Sequence, residues 1–206
     1  MTAYYIGFTG PAGSGKNTAA SFMADYLTSK GFVVVEMSFA EALKKGASEF
    51  FGLPMSVFHD RERKESVDPY WGISPRRMLQ ILGTEVARTH FGEDFWIRRL
   101  VKEIQSQGID NNADFILITD VRFDNEADFI RENGGRIVFL RREGVLQGQS
   151  ANHASEAGVV LRDGDFVINN NSSLDALKKS TTNIGSLFAE YKRTHDEKLA
   201  APGVQP

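Results

Sequence analysis

Gly10-Pro11-Ala12-Gly13-Ser14-Gly15-Lys16-Asn17-Thr18 is the stretch that decides the fold. Before it, Tyr4 to Thr9 is a short apolar and β-branched run, the pattern of a buried strand. After it, Lys16 to about Ser29 places Ala19, Phe22, Met23 and Leu27 at helical spacing, and Gly31 supplies a stop. Strand, glycine-rich turn and helix in that order are the context of a P-loop. Glycines let successive N–H groups turn inward around a phosphate, and the helix N-terminus adds about half a positive charge. Lys16 would reach the outer phosphates as a point charge. Gly10, Ala12, Gly13, Ser14, Gly15, Lys16, Asn17 and Thr18 are therefore the expected ATP-binding residues. One departure matters. The usual hydroxyl after the Lys is Asn17, which has only a neutral amide oxygen to offer Mg²⁺, so phosphates and waters are expected to hold the metal. Thr18 is placed to touch the α-phosphate.

Outward from this loop, the chain alternates strands and helices. Phe32 to Met37 reads as a second strand, Phe115 to Thr119 as a continuous apolar third, Arg136 to Leu140 as a fourth and Phe166 to Asn169 as a fifth. Helices are expected over Ser38 to Phe51 and from Ser74-Pro75, whose stripe is Met78, Leu79, Leu82 and Val86. Further helices are expected from Asp94 to about Gln107, from Asn125 to Glu132, and after the capping box Ser172-Ser-Leu-Asp175. That last helix would be supported by Leu177, Ile184, Phe188 and Tyr191. Residues 55–73 read as a charged, irregular insertion, and Asp110-Asn111-Asn112 as a turn. Such alternation predicts right-handed βαβ crossovers, hence a five-stranded parallel sheet flanked by helices, with ligands beyond the carboxyl ends of the strands. The organisation expected is one domain over 1–195, with a helical acceptor region at about 55–105, a lid loop at about 141–164 and a disordered tail at 196–206.

Composition narrows the function. The 206 residues suit one domain, and 24 Lys plus Arg against 27 Asp plus Glu leave a net charge of −3, which argues against a general nucleic-acid binder. Cysteine is absent, which excludes disulfides and thiolate chemistry and suits the cytoplasm. No signal peptide and no run of about 18 apolar residues is present, so no membrane role is expected.

A P-loop alone does not say where the phosphoryl group goes. Guanine switches carry Asp-x-x-Gly and Asn-Lys-x-Asp; here the corresponding stretches are Asp120-Val-Arg-Phe and Asn169-Asn-Asn-Ser, and neither matches. Instead 14 of the 24 cationic residues are Arg, several in adjacent pairs: Arg76-Arg77, Arg98-Arg99 and Arg141-Arg142. Arg grips phosphate by a planar fork, and phosphoryl transfer is mostly positioning and charge neutralisation. Neighbours diverge by about 100° on a helix and about 180° on a strand, so at most one of each pair should face a ligand. Arg98 and Arg99 read as solvated surface. Arg141 and Arg142 end a strand and open a loop, where a lid would carry its arginines. Asp120 ends the third strand beside the cradle, either orienting magnesium waters or capping a turn. Arg122 could reach a phosphate. Glu36 and Ser38 leave the second strand on the same rim.

Taken together, the segments Ser74-Pro75-Arg76-Arg77-Met-Leu-Gln-Ile-Leu-Gly83-Thr84-Glu85, Phe95-Trp96-Ile97, Asp120-Val-Arg122-Phe-Asp-Asn125-Glu126 and His153-Ala-Ser155-Glu156, with the Asn-rich loop before the last helix, resemble the bacteriophage deoxynucleoside monophosphate kinases. The resemblance runs from about residue 4 to 190. It implies a P-loop kinase fold, with transfer of the ATP γ-phosphate to a (deoxy)nucleoside monophosphate and Mg²⁺ as cofactor, in the host cytoplasm for a phage protein. It also fits the Gly-Lys-x-Thr form of the loop. By position, Arg76, Arg77 and Arg88 would face the acceptor phosphate, and Tyr70, Trp71 or Trp96 its base. Trp96 begins an apolar stripe with Leu100 and Ile104 and reads first as a core anchor, so Trp71 is the expected stacking residue. His153 has no nucleophile to pair with and reads as a loop residue. Asn169 to Ser173, Asn170 included, would lie near the adenine. The expected catalytic set is Lys16, Asp120, Arg141 and Arg142, with Asp120 touching metal through water and Ser38, Trp71, Arg76, Arg77, Arg88 and Arg122 binding acceptor. A kinase of another small metabolite, such as dephospho-coenzyme A, and a nucleotide-gated binding module stay open as alternatives. So does a homodimer.

Overall fold

The computed structural model describes residues 3–144 and 158–200, with side chains through 195. Five parallel strands, β1 (Tyr4–Thr9), β2 (Val34–Met37), β3 (Phe115–Ile118), β4 (Arg136–Arg141) and β5 (Phe166–Asn169), form one sheet in the order β2-β3-β1-β4-β5. β1 is central, which puts the turn that follows it between β3 and β4, where the strand order reverses and a crevice opens.

Period-two alternation divides the core between the two faces of the sheet. Phe115 and Leu117 of β3 and Val138 and Leu140 of β4 pack with α1 (Lys16–Ser29), through Ala20, Met23 and Leu27. Ile116, Ile118, Ile137 and Phe139 face the other way. Every β3 residue is buried, as a strand covered on both sides requires. Each such side chain contributes about 1.5–3 kcal/mol of burial.

The remaining helices are α2 (Ala40–Phe51), α3 (Met55–His59), α4 (Arg61–Glu65), α5 (Pro75–Gln80), α6 (Thr89–Phe91), α7 (Phe95–Ser106), α8 (Ile109–Asn112), α9 (Asp124–Glu132) and α10 (Leu174–Ala200), with a π-helical segment, Ile81–Arg88, between α5 and α6. Leu100 and Ile104 of α7 and Ala127 and Ile130 of α9 cover the second face.

The departures from expectation are local. Residues 55–73 contain α3 and α4, five residues each and too short to show an apolar period; Asp60 caps α4 by accepting from the Arg63 amide at 2.8 Å. The expected stripe through Val86 fails, because the wide π turn shifts the register: Val86 is exposed, and Gly83, Ala87 and Arg88 turn inward. α8 replaces the turn at Asp110. Ser173, not Ser172, caps α10, accepting from the Ala176 amide at 3.2 Å. Tyr191 is half exposed, its ring against Tyr4. α10 continues to Ala200, past the point where the tail was expected to begin. His153, Ser155, Glu156 and most of the expected lid lie outside the described residues, as does the end of the tail.

Candidate active site

The loop between β1 and α1 has the backbone its glycines permit. Gly10, Gly13 and Gly15 have φ of 139°, 80° and 98°, values that L side chains rarely adopt. Gly15 is the N-cap of α1, with no side-chain capping bond and no acidic residue in the first turn, so the amides of that turn stay available to an anion. Lys16 Nζ curls over the loop and donates to the carbonyls of Gly10 (2.7 Å) and Pro11 (2.9 Å). From behind, Asn170 Nδ2 donates to the Ser14 carbonyl at 2.9 Å. The side chain expected near adenine is therefore a brace for the loop. Ser14 Oγ is buried and has no hydrogen-bond partner among the described residues.

In front of the loop lies a cavity of about 500 Å³, a usual size for a small-molecule site. Ala12, Gly13, Gly15, Lys16, Asn17 and Thr18 form one wall, and Ser38, Asp120, Arg122 and Arg142 stand at the strand ends. Asp120 fills the capping alternative: its Oδ1 accepts from the Phe39 amide (2.8 Å) and its Oδ2 from the Ala40 amide (3.0 Å), pinning the start of α2 to the end of β3. Among the described residues no three His, Asp or Glu cluster as a metal cage. The oxygen donors on the cavity, from Thr18, Asn17 and Asp120, fit a magnesium ion coordinated mainly by phosphate and water.

Further basic side chains on the cavity come from α2 to α5. Lys64 of α4 and Arg76 of α5 line it together with Arg61, Lys44 and His59. Arg61 lies against the phosphate loop, its Nη1 3.2 Å from where a Cβ on Gly13 would be. Burial, and then the neighbouring charges of Arg76, Arg122 and Lys44, push the Lys64 ammonium down to about 8. Arg76 is shielded and bonded through Nε to Glu65 at 2.5 Å. Sequence reasoning does not find Lys44, which reads as the polar face of the helix over Ser38 to Phe51, nor His59, Arg61 and Lys64, since charges in a stretch without period read as solvated loop. The caps at Pro54 and Asp60 were the available signal for helices there.

Four expected residues lie elsewhere. Arg77 pairs on the surface with Glu85, one position round the helix from Arg76. Arg141 is exposed and outside the cavity, whereas Arg142 lines it. Arg88 is buried beneath the site: it donates to Asn125 Oδ1 at 3.0 Å, lies over the Phe123 ring at 3.8 Å, and faces Glu126 at 3.7 Å. Trp71 packs edge-on against Phe51 and donates to its carbonyl at 3.1 Å, outside the cavity. Trp96 is the tryptophan on the cavity. It packs on the core as its period implies, and its Nε1 donates to the Gly83 carbonyl at 2.8 Å.

Glu126 forms part of the floor. Its Oε2 accepts from the amides of Arg122 (2.8 Å) and Phe123 (3.2 Å). Burial pushes this carboxyl up to about 7, with Asp120 adding to the shift and the two amides and Arg88 opposing it.

Among the described residues no helix is long and apolar enough to cross a membrane. A solved gluconokinase from Sinorhizobium meliloti superposes with a TM-score of 0.50 over 94% of this chain and 98% of its own, at 13% identity, which establishes a shared fold. A protein of Acanthamoeba polyphaga mimivirus assigned as a deoxynucleotide monophosphate kinase is 36% identical over 187 residues, covering 82% of this chain and 90% of that one. The deoxynucleotide monophosphate kinase of Enterobacteria phage T4 is 30% identical over 112 residues, 54% of this chain and 44% of its own length. The family model for deoxynucleotide monophosphate kinase matches residues 55–181, a span that holds His59, Arg61, Lys64, Arg76, Trp96, Asp120 and Asn170. With more than half of its length inside that match, the chain belongs to the deoxynucleotide monophosphate kinase family.

Proposed function

We propose that this protein transfers the γ-phosphoryl group of ATP to a (deoxy)nucleoside monophosphate, releasing ADP and the (deoxy)nucleoside diphosphate. The observation that carries the reading is that one cavity joins two anion sites: the amide cradle with Lys16, and the cluster of Lys64, Arg76 and Arg122. A binding module needs only the first. A phosphotransferase needs both, held so that donor and acceptor meet in line.

The cradle amides and Lys16 hold the β- and γ-phosphates, with the lysine exchanging its loop carbonyls for phosphate oxygens. Magnesium would be held mainly by phosphate and water, with Asn17 and, through water, Asp120 beside it and Thr18 on the α-phosphate, and when bound it supplies charge neutralisation on the phosphates. Arg76, Arg122 and Lys64 fix the acceptor phosphate, and Arg142 neutralises charge on the transferred group. The acceptor is already an anion, so no general base is required. Arg141 acts outside this set, by giving its carbonyl to the Asn170 amide at 2.7 Å. The lid at 141–164 and the acceptor region at 55–105 are parts of this proposal, as is a cytoplasmic location, which the absence of cysteine supports.

The test is ADP release with MgATP across the four dNMPs and dephospho-coenzyme A. The expected result is release that depends on a dNMP. Turnover with dephospho-coenzyme A alone, or hydrolysis indifferent to any acceptor, overturns the reading.

A further inference from the structure

One polar group on the cavity has no partner among the described residues. Gln80 lines the cavity, and its Nε2 is buried without a hydrogen-bond partner among the described residues. A buried donor left unpaired is unfavourable and is kept where something else pairs with it.

Its position along the helix says what. Arg76, Gln80 and Thr84 follow one another at four-residue intervals from α5 into the π-helical segment, and all three line the cavity. Arg76 stands in the cation cluster. At the level of Gly83 the wall becomes apolar: the Trp96 indole is tied to the Gly83 carbonyl, and Leu43 lies so close that a Cβ on Gly83 would meet its Cδ2 at 2.6 Å. Gln80 therefore lies one helical turn, about 5.4 Å, from the phosphate-binding Arg76 toward an aromatic and aliphatic wall. The helix widens immediately after it, at Ile81. Such widenings are frequent at functional sites.

We propose that Gln80 reads the hydrogen-bonding edge of the acceptor's base. This inference rests on the kinase reading above. The primary amide offers one acceptor oxygen and a two-hydrogen donor. It pairs with a carbonyl beside a ring N–H, as in guanine and thymine. Turned by 180°, it pairs with an amino group beside a ring nitrogen, as in adenine and cytosine. Replacing the amide by a carboxylate leaves acceptors only, which favours bases that carry an amino group and repels the two carbonyls flanking the thymine N–H.

The experiment compares wild type, Gln80→Leu and Gln80→Glu in kcat/KM for dAMP, dCMP, dGMP and dTMP. Calorimetric affinities are measured for the same four compounds and for 2-deoxyribose 5-phosphate, which keeps phosphate and sugar but lacks a base. Gln80→Leu is expected to lose roughly tenfold or more on the preferred dNMPs, since an unpaired polar edge is rejected strongly, with affinities for MgATP and the baseless probe unchanged. Gln80→Glu is expected to lower the ratio of dTMP to amino-bearing acceptors by about tenfold, a ratio that stays readable when overall activity drops. Equal losses on every acceptor, the baseless probe included, or an unaltered base pattern in both variants, overturn the assignment. If wild type itself phosphorylates no dNMP, the kinase reading fails and this inference falls with it. If wild type is active and the base pattern does not move, this inference alone fails.

Discussion

Asn170, one residue beyond β5, donates its side-chain amide to the carbonyl of Ser14, 156 residues earlier in the chain and 2.9 Å away. The same nitrogen lies 2.5 Å from where a Cβ on Gly15 would sit, and the Asn170 backbone amide holds Arg141 at 2.7 Å. One residue thus locks the phosphate loop to β4 and β5. Asn170→Ala is expected to cost about 1–3 kcal/mol in denaturant unfolding, the usual loss when a buried acceptor goes unpaired. It should also raise KM for ATP while leaving the dNMP affinity unchanged. Gly15→Ala should show the same ATP defect, because its φ of 98° and the amide both oppose a methyl group.

Adjacent arginines separate by position, Arg76 on the cavity and Arg77 on the surface. Arg76→Ala should raise KM for dNMP at least tenfold, as loss of a charge-assisted hydrogen bond of about 1.5–3 kcal/mol implies. Arg77→Ala removes only an exposed pair with Glu85, so kinetics should match wild type and stability should change by less than about 1 kcal/mol. A large kinetic defect in Arg77→Ala would contradict the placement of these side chains.

The lowered Lys64 value predicts a pH dependence on the acceptor side. In the free enzyme the ammonium loses its proton at about 8, and an anionic phosphate binds better to the protonated form. Affinity for dNMP should therefore be full below that value and fall as pH rises through it. Lys64→Arg, which stays charged throughout, should abolish this inflection in a plot of 1/KM against pH. Persistence of the inflection in that variant would place its origin elsewhere.

Glu126 carries the complementary effect on stability. Its carboxyl titrates at about 7 when folded, well above the usual carboxylate range, so between about 4.5 and 7 the native state holds a proton that the unfolded chain has released. Stability therefore falls as pH rises through this window and levels off above it. Tm of wild type should drop on going from pH 5 to 7.5 relative to Glu126→Gln, which cannot titrate. A parallel pair of Tm curves would exclude Glu126 as the source.

The fold was legible because its signals are local and strong: a glycine loop between a strand and a helix, and a third strand, Phe115–Ile118, apolar at every position. The same loop gives one side of the cavity, lined by Ala12, Gly13, Gly15, Lys16, Asn17 and Thr18. The acceptor side was only half legible. Arg76 lines the cavity because Ser74-Pro75 fixes where its helix starts, but the π turn after Gln80 has no signature in an apolar pattern, and it puts Arg88 under the floor. Arg61 and Lys64 sit on a five-residue helix, whose order comes from a cap and from packing rather than from a stripe. Trp96, and not Trp71, lines the cavity for a related reason. Periodicity shows that Trp96 packs on the core but not that one edge of the same ring faces a cavity.

The most direct measurement follows the terminal phosphate itself. Wild type and Lys16→Ala are incubated with γ-labelled ATP, magnesium and a dNMP, and the products are separated. In wild type the label should enter the dNDP in a one-to-one ratio with ADP, and in Lys16→Ala the rate should fall at least tenfold while the far-ultraviolet spectrum is unchanged. Label appearing only as inorganic phosphate, at a rate indifferent to the dNMP, would contradict the account.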